Sequence, residues 1–261
     1  MKRNTRYEVI KAVRSRIISL DLAPGAPISE NELATNLGVS RTPVREALLI
    51  LGEEHLVEIY PRIGTFVTLI DVQLVRDSHF IRESLELASL DQMTLPLTPE
   101  SAENIAANLV AQEVAAQQNT AEFFRLDEEF HRLLMEAGGH AHAWHIVNNA
   151  KAHLDRARML GLKKASPPIK YYREHLSIFE SLNDGKRNDA RTMLRKHLSR
   201  IFDDIDTVAR EHPHFFVADP NSNSSSTDRS ANETQRYAYL APHQRMQVHQ
   251  ARKAGPTNPQ S

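Results

Sequence analysis

The sequence has 261 residues, of which 41% are hydrophobic and 25% charged, a composition typical of a globular protein with room for two modest domains. It contains no cysteine, which excludes disulfide bonds and Cys-based zinc sites and leaves His, Asp and Glu as candidate metal ligands. No apolar run approaches the roughly 18–20 residues that span a bilayer, and the N-terminus lacks a signal-peptide core. We therefore expect a cytoplasmic protein that makes no membrane contact.

The formal net charge of −1 does not support nucleic-acid binding through bulk electrostatics. Divided along the chain, residues 1–70 have a net charge of +1, residues 71–211 of −4 and residues 212–261 of +2. Because contacts to phosphate are local, any case for DNA binding depends on the positions of individual arginines.

Residues 1–70 are predicted to form a first domain with three short helices and a β-hairpin. Apolar side chains at three- and four-residue spacing predict a helix over about residues 6–20. Ser29, followed three residues later by Glu32, is a capping pattern that starts a second helix, and this helix ends near Gly38.

The third helix begins at Ser40 and has an apolar stripe on one face. Two strands follow, Val57–Tyr60 and Thr65–Leu69, joined by a Pro-Arg-Ile-Gly turn. Two short helices separated by a glycine-containing turn form a helix-turn-helix, and the hairpin behind them makes it a winged helix-turn-helix.

The start of the third helix is the candidate DNA-contacting surface. Arg41 and Arg45 lie four residues apart and so share one helix face, opposite the apolar stripe. Arginine can donate two hydrogen bonds to guanine in the major groove, and hydroxyl groups at a helix N-terminus can contact phosphate. Arg62, in the hairpin turn beside Gly64 and Thr65, could reach the minor groove or a phosphate. From these residues alone, a small helical domain with solvated arginines is the alternative.

Residues 22–67 resemble the winged helix of the GntR family of bacterial transcription regulators. Four stretches show the resemblance: LAPG at 22–25, ISENELA at 28–34, LGVSRTPVREAL at 37–48 and GTFV at 64–67. The resemblance implies operator contacts by side chains at the start of the third helix, namely Ser40, Arg41, Thr42 and Arg45. It also places Gly64 in the wing. Asn31 departs from the pattern, since some relatives have an arginine there. A contact from this position to the DNA backbone should therefore be weaker or absent.

Residues 71–211 are predicted to form an all-α bundle of about six helices. The periodic segments lie near residues 71–94, 98–117, 120–137, 141–162, 167–183 and 187–210. They resemble the FCD domain, a ligand-sensing and dimerisation domain of the FadR branch of GntR regulators, and six helices indicate its VanR-like subgroup. The resemblance is clearest at FIRESLE (80–86), FRLDEEFH (124–131), EH (174–175) and HL (197–198). Residues 212–261, rich in Ser, Asn and Pro, are expected to be a disordered tail.

Four side chains of the helical domain form a candidate metal site. Asp127 and His131 are four residues apart and project from one face of one helix. His175 and His197 fall among apolar residues of two later helices, so both should face the interior. A buried imidazole without a partner costs about 1–3 kcal/mol, and binding one divalent cation would satisfy all four groups. Hydrogen-bonded core histidines are the alternative.

The resemblance to the FCD domain implies the same four residues as metal ligands. We expect zinc, with nickel or manganese as alternatives. In the family, the open coordination positions are thought to hold water or the carboxylate of an effector, here a small carboxylate or a sugar acid. A nearby cation would complete the anion site, and the candidates are Arg82, Arg156 and Arg158. For each of them a salt bridge to a bundle carboxylate is the competing interpretation.

These features predict a regulator, expected to be a repressor, that binds double-stranded operator DNA as a homodimer because paired half-sites match a protein twofold axis. A metal-dependent enzyme using the Asp and three His is one alternative, but the sequence has no dedicated motif such as H-E-x-x-H. A structural DNA-binding protein is a second alternative, and it would need a broader basic surface than this chain offers.

Overall fold

The structure, a computed structural model, describes residues 5–217. They divide into two compact units, one of residues 5–71 together with 212–217 and the other of residues 72–211. No helix in this part of the chain is both long and apolar enough to cross a membrane.

The first unit has the predicted winged helix-turn-helix architecture. Its elements are α1 (Thr5–Ile18), β1 (Pro27–Ile28), α2 (Glu30–Leu37), α3 (Arg41–Glu53), β2 (Val57–Tyr60) and β3 (Gly64–Val67). Ser29 caps α2 by accepting a hydrogen bond from the amide of Glu32 at 3.3 Å, and Gly38 ends α2 in the left-handed conformation, at φ 65°. The predicted start and end of this helix are therefore confirmed.

The small sheet has three antiparallel strands in the order β1-β3-β2, one more than the predicted hairpin. Pro27 and Ile28 of β1 pair with Phe66 and Thr65 of β3. This strand was missed because two residues are too few to show an alternating pattern.

The second unit is the predicted all-α bundle. Its α-helices are α4 (Val72–Gln92), α5 (Pro99–Gln118), α6 (Thr120–Ala137), α7 (Trp144–Ala150), α8 (Ala152–Lys164), α9 (Pro168–Asn183) and α10 (Arg187–Glu211). One apolar core contains buried side chains from α4, α5, α6, α9 and α10, among them Leu90, Ile105, Phe130, Ile178 and Leu194. Smaller apolar clusters lie beside it in the same unit.

The helix predicted near 141–162 is not continuous, so the described bundle has seven α-helices and not six. A 3-10 turn, Ala141–Ala143, comes first, and the rest divides into α7 and α8 at Lys151. The sequence shows neither Pro nor Gly at this point. At the break, the ammonium group of Lys151 is buried against the carboxylates of Glu128 and Asp155.

The segment that follows α10 returns to the first unit. A 3-10 turn, Pro213–Phe215, leads to a short parallel pairing in which the Ile70 amide donates to the Phe215 carbonyl at 2.8 Å. The Val217 amide donates to the Ile70 carbonyl at 2.9 Å, and the Phe216 side chain is buried. The expected disorder from residue 212 onward is thus wrong for residues 212–217, because burial of Phe216 stabilises them. The rest of the predicted tail lies outside the described residues.

Candidate metal centre and nucleic-acid interface

The four side chains predicted as metal ligands come together inside the helical unit. Asp127 and His131 lie on α6, His175 on α9 and His197 on α10, and all four are buried. One candidate ligand atom from each lies within 4.8 Å of those of the other three. Three helices therefore supply one compact group of one carboxylate and three imidazoles.

The Nε2 atoms of the three histidines face one another. His197 Nε2 lies 3.2 Å from His131 Nε2 and 3.1 Å from His175 Nε2. Asp127 Oδ1 lies 3.5 Å from His175 Nε2. Which nitrogen of each imidazole carries the proton can be read from the hydrogen-bond partner of its Nδ1 atom.

In two of the three imidazole rings, the Nδ1 atom, which faces away from the cluster, is hydrogen-bonded to a carboxylate. Glu86 Oε2 lies 2.7 Å from Nδ1 of His131, and Glu174 Oε2 lies 2.9 Å from Nδ1 of His197. A carboxylate can only accept, so each of these Nδ1 atoms is the one that bears the proton. Each Nε2 is then left with a lone pair, the form in which imidazole binds a metal.

The third ring is held by an amide whose orientation is fixed. Gln112 Oε1 lies 2.7 Å from Nδ1 of His175. The amide nitrogen of Gln112 donates to Asn108 Oδ1 at 2.6 Å and lies 3.4 Å from the carbonyl of Leu126. Both partners are acceptors, so the oxygen of Gln112 faces His175 and accepts its Nδ1 proton.

Three lone pairs and one carboxylate oxygen therefore point at the same place. Without a cation they repel, whereas a divalent metal satisfies all four, and this donor set is one that zinc and its neighbours accept. The residues present thus fit a metal ion. Sequence analysis missed the outer groups, Glu86, Gln112 and Glu174. The available signal was a polar residue on a helix face that otherwise points into the apolar core, as Gln112 does between Leu109 and Ala115.

The electrostatics of the group keep its members in metal-binding form. Burial alone would raise the pKa of Asp127, but Arg158 and His175 lower it, and the net pKa lies well below the usual range of a carboxyl. Burial, together with Arg82, holds the pKa of His131 well below its ordinary value. Burial and His197 do the same to the pKa of His175. The carboxyl is ionised and these imidazoles are neutral at pH 7.

A small cavity lies beside the histidine cluster. Its lining residues are His79, Arg82, Leu154, Arg158, Tyr171, His197, Leu198 and Ile201. The cavity is therefore lined by a predicted metal ligand, His197, and by two of the three arginines predicted to bind an effector, Arg82 and Arg158.

Of the three predicted effector arginines, Arg82 and Arg156 are buried and Arg158 is partly buried, and their surroundings differ. Arg82 Nε donates to Glu86 Oε1 at 2.6 Å, and its Nη2 has no hydrogen-bond partner among the described residues. Arg158 pairs with Asp127 and Glu128. Arg156 is not among the residues that line the cavity, and burial lowers its pKa to about 10.

In the first unit, the predicted DNA-contacting side chains of α3 lie at the surface. Ser40, Arg41, Thr42 and Arg45 are all exposed. The hydroxyl of Ser40 makes no capping hydrogen bond although the residue is the N-cap of α3, so capping does not occupy it. The carboxylate of Glu30 lies against the two arginines, with Oε2 at 2.7 Å from Arg45 Nε and 3.5 Å from Arg41 Nη2.

Two of the three residues predicted as wing contacts lie at the surface. Arg62 and Gly64 are exposed, and Arg62 adopts a left-handed conformation, at φ 65°, in the loop between β2 and β3. Thr65, in contrast, is only 6% exposed and is paired in β3 with Ile28 and Ile59. Strand β3 is the central strand of the sheet and is buried from Thr65 to Val67, so the Thr65 side chain is covered and leaves the set of contact candidates.

A winged helix-turn-helix with exposed arginines, joined in one chain to a helical bundle with a buried acid–histidine group, defines a DNA-binding transcription regulator. Residues 5–67 match the bacterial regulatory proteins of the gntR family, and residues 77–200 match the FCD domain. The chain belongs to the GntR family of transcription regulators and contains an FCD domain. The family consists of regulators, so the alternative of a metal-dependent enzyme is set aside.

Similarity to individual relatives extends over both units. An uncharacterized HTH-type transcriptional regulator in an unstable DNA locus of Streptomyces ambofaciens is 43% identical over 217 residues, which are 83% of this chain and 92% of the relative. The HTH-type transcriptional repressor RspR of Escherichia coli K12 is 32% identical over 80% of this chain and 92% of its own. The solved structure of E. coli McbR/YncC has the same fold, with a TM-score of 0.67 at 19% identity over 78% of this chain and 98% of that one.

Proposed function

We propose that this protein is a cytoplasmic, homodimeric repressor whose affinity for operator DNA is controlled by a small carboxylate or sugar acid bound beside a divalent metal ion. The observation that supports this most directly is the geometry of the helical unit. Lone pairs of His131, His175 and His197 converge with the Asp127 carboxylate next to a cavity that contains Arg82 and Arg158.

Asp127, His131, His175 and His197 would hold the metal, with zinc as the expected ion and nickel or manganese as alternatives. Four protein ligands leave room for a further one when the ion expands its coordination, and the cavity borders this group at His197. The bound metal supplies a Lewis-acidic position for an effector carboxylate.

Arg82 is the best-placed protein group for the effector itself. Its unpartnered Nη2 lies on a buried side chain that lines the cavity, and a buried guanidinium gains about 1.5–3 kcal/mol from a hydrogen bond with an anion. Arg158 lines the same cavity but is already engaged by Asp127 and Glu128. Arg156 does not line it, so we assign the role to Arg82 first.

For DNA binding we propose Ser40, Arg41, Thr42 and Arg45 as major-groove and phosphate contacts, with Arg62 and Gly64 of the wing beside them. A repressor fits the relative RspR, which is named as one. Membership of the VanR-like subgroup was predicted from six helices, and the break at Lys151 removes that helix count as an argument.

The test is a footprint of the zinc-loaded protein on the DNA upstream of its own gene. We expect a short palindrome to be protected by the wild type and by Arg125→Ala, a surface variant of the helical unit, and to be lost with Arg45→Ala. A series of small carboxylates and sugar acids is then added, and one of them should release the DNA from the wild type. Arg82→Lys should keep operator binding and need a higher concentration of that compound. Equal, weak binding of the wild type to all DNA would contradict the proposal.

A further inference from the structure

We infer that Glu30 determines the specificity of DNA binding by holding Arg45 and Arg41 in place and by cancelling part of their charge. The inference rests on the proposed role of these two arginines in contacting the operator. It assigns a function to a residue that makes no DNA contact of its own.

The geometry places one carboxylate oxygen between two guanidinium groups. Glu30 is the first residue of α2, and its Oε2 lies 2.7 Å from Arg45 Nε and 3.5 Å from Arg41 Nη2, both on α3. The side chain of Glu30 is 27% exposed, whereas those of Arg41 and Arg45 are 57% and 62% exposed. The carboxylate thus sits behind the arginines, and their outer ends face solvent.

The contact uses the inner edge of Arg45 and leaves its outer edge available. Hydrogen bonding at Nε does not occupy the two terminal amino groups, and a pair of parallel N–H groups is what guanine O6 and N7 require. A guanidinium held in this way loses less side-chain entropy when it meets a base. Glu30 therefore favours binding where a guanine stands at the matching position.

The same carboxylate weakens attraction to DNA of any sequence. Binding to random DNA comes mainly from the release of counterions by Lys and Arg at phosphates. A glutamate between two arginines reduces the local charge from +2 to +1, and it competes with phosphate for their N–H groups. Holding Arg45 in place favours the operator, and lowering the local charge weakens binding to other DNA. Both effects raise the specificity.

The experiment compares Glu30→Gln with Glu32→Gln, a matched change of charge in the same turn of α2. Among the contacts of the described residues, the carboxylate of Glu32 meets neither arginine. Dissociation constants are measured for the footprinted operator duplex and for a random duplex, from 50 to about 300 mM salt. Thermal unfolding of both variants confirms that each is folded.

We expect Glu30→Gln to bind random DNA about fivefold more tightly, with a slope of log K against log salt that is steeper by about one, since one more arginine reaches phosphate. Operator affinity should stay the same or fall, so the ratio of specific to random binding falls about fivefold or more. Glu32→Gln should shift both duplexes equally. In the Arg45→Ala background, most of the effect of Glu30→Gln should disappear.

A specificity ratio for Glu30→Gln that equals that of the wild type, or that changes only as in Glu32→Gln, overturns the inference while the regulator function stands. Operator binding that survives Arg45→Ala overturns the proposed DNA contacts themselves, and the two failures are thereby distinguished.

Discussion

Gln112 accepts a hydrogen bond from His175 in an orientation that the neighbouring groups leave no freedom to reverse. Its amide nitrogen is committed to two acceptors, the side chain of Asn108 and the carbonyl of Leu126, so its oxygen must face the imidazole at 2.7 Å. Helix α5 supplies no metal ligand, and yet it sets which nitrogen of His175 is free to bind a metal.

Replacing Gln112 with Leu removes this acceptor and should weaken zinc binding by about 10- to 100-fold, the usual effect of losing a group that orients a metal ligand. Gln112→Glu keeps an acceptor for Nδ1 and should retain zinc affinity. Competition with a chromophoric chelator measures the affinity. Gln117→Leu, an exposed change on the same helix, is the control. Equal affinities for Gln112→Leu and the control would show that the orientation of His175 does not depend on α5.

Zinc should also stabilise the fold, because the metal binds the native arrangement of four groups from three helices and not the unfolded chain. At a free zinc concentration 100 times the dissociation constant, the gain is about 2.7 kcal/mol, or about 5–10 °C in Tm. Calorimetric scans with a zinc buffer and with a chelator measure it. His175→Ala should lose the zinc-dependent shift, while His145→Ala, at an exposed position, should keep it. A shift of the same size in both variants would place the stabilising zinc elsewhere.

Helix α4 lies so close to Gly138, at the end of α6, that a single added methyl group should destabilise the fold. A Cβ atom at Gly138 would lie 2.6 Å from the backbone oxygen of Ser89, which cannot rotate away. We expect Gly138→Ala to lower the free energy of unfolding by about 1–3 kcal/mol or more. In Gly52→Ala the nearest neighbour lies at 3.8 Å, so that variant should be neutral or gain up to about 1 kcal/mol from helix propensity. Urea unfolding measures both, and an equal effect of the two substitutions would contradict the steric argument.

Patterns along the sequence predicted most of the helices and the inward-facing positions of the candidate metal ligands, because helical periodicity reports which face is buried. The resemblance to the FCD domain implied that the four residues act together as one metal site. The features that were missed depend on contacts between distant segments. The helix break lies at Lys151, whose ammonium group pairs with Glu128 and Asp155, and no local signal marks the position. Thr65 was predicted as a wing contact, but it lies on the central strand of the sheet, where its side chain is buried.

The groups that surround the candidate metal ligands show the same limit. Gln112 and Glu86 are polar residues on inward faces, which the sequence reveals, but their partners are far along the chain. Only the packing of α4 and α5 against α6 and α9 shows which histidine each one orients. The two arginines of α3 were likewise found from their spacing, whereas the glutamate between them comes from another helix.

The short pairing of Ile70 with residues 215–217 predicts an effect of shortening the chain. A protein that ends at residue 211 keeps every α-helix described but loses the two hydrogen bonds to Ile70 and the burial of Phe216. We expect the winged-helix unit to lose about 2–4 kcal/mol of stability, from one aromatic side chain and two hydrogen bonds. A protein that ends at residue 217 is the control, and hydrogen exchange at the Ile70 amide reports the loss directly. Equal protection of Ile70 in both would contradict the prediction.

The same pairing has a consequence for biosynthesis. Ile70 emerges from the ribosome early, and its partner segment emerges only after the whole helical unit has been made. The winged-helix unit is therefore discontinuous in sequence, with the helical unit inserted in it, and its last contacts join residues far apart along the chain. A chain that has been made only as far as the bundle lacks the residues that pair with Ile70, so this unit completes its hydrogen bonds only after α10 has been synthesised.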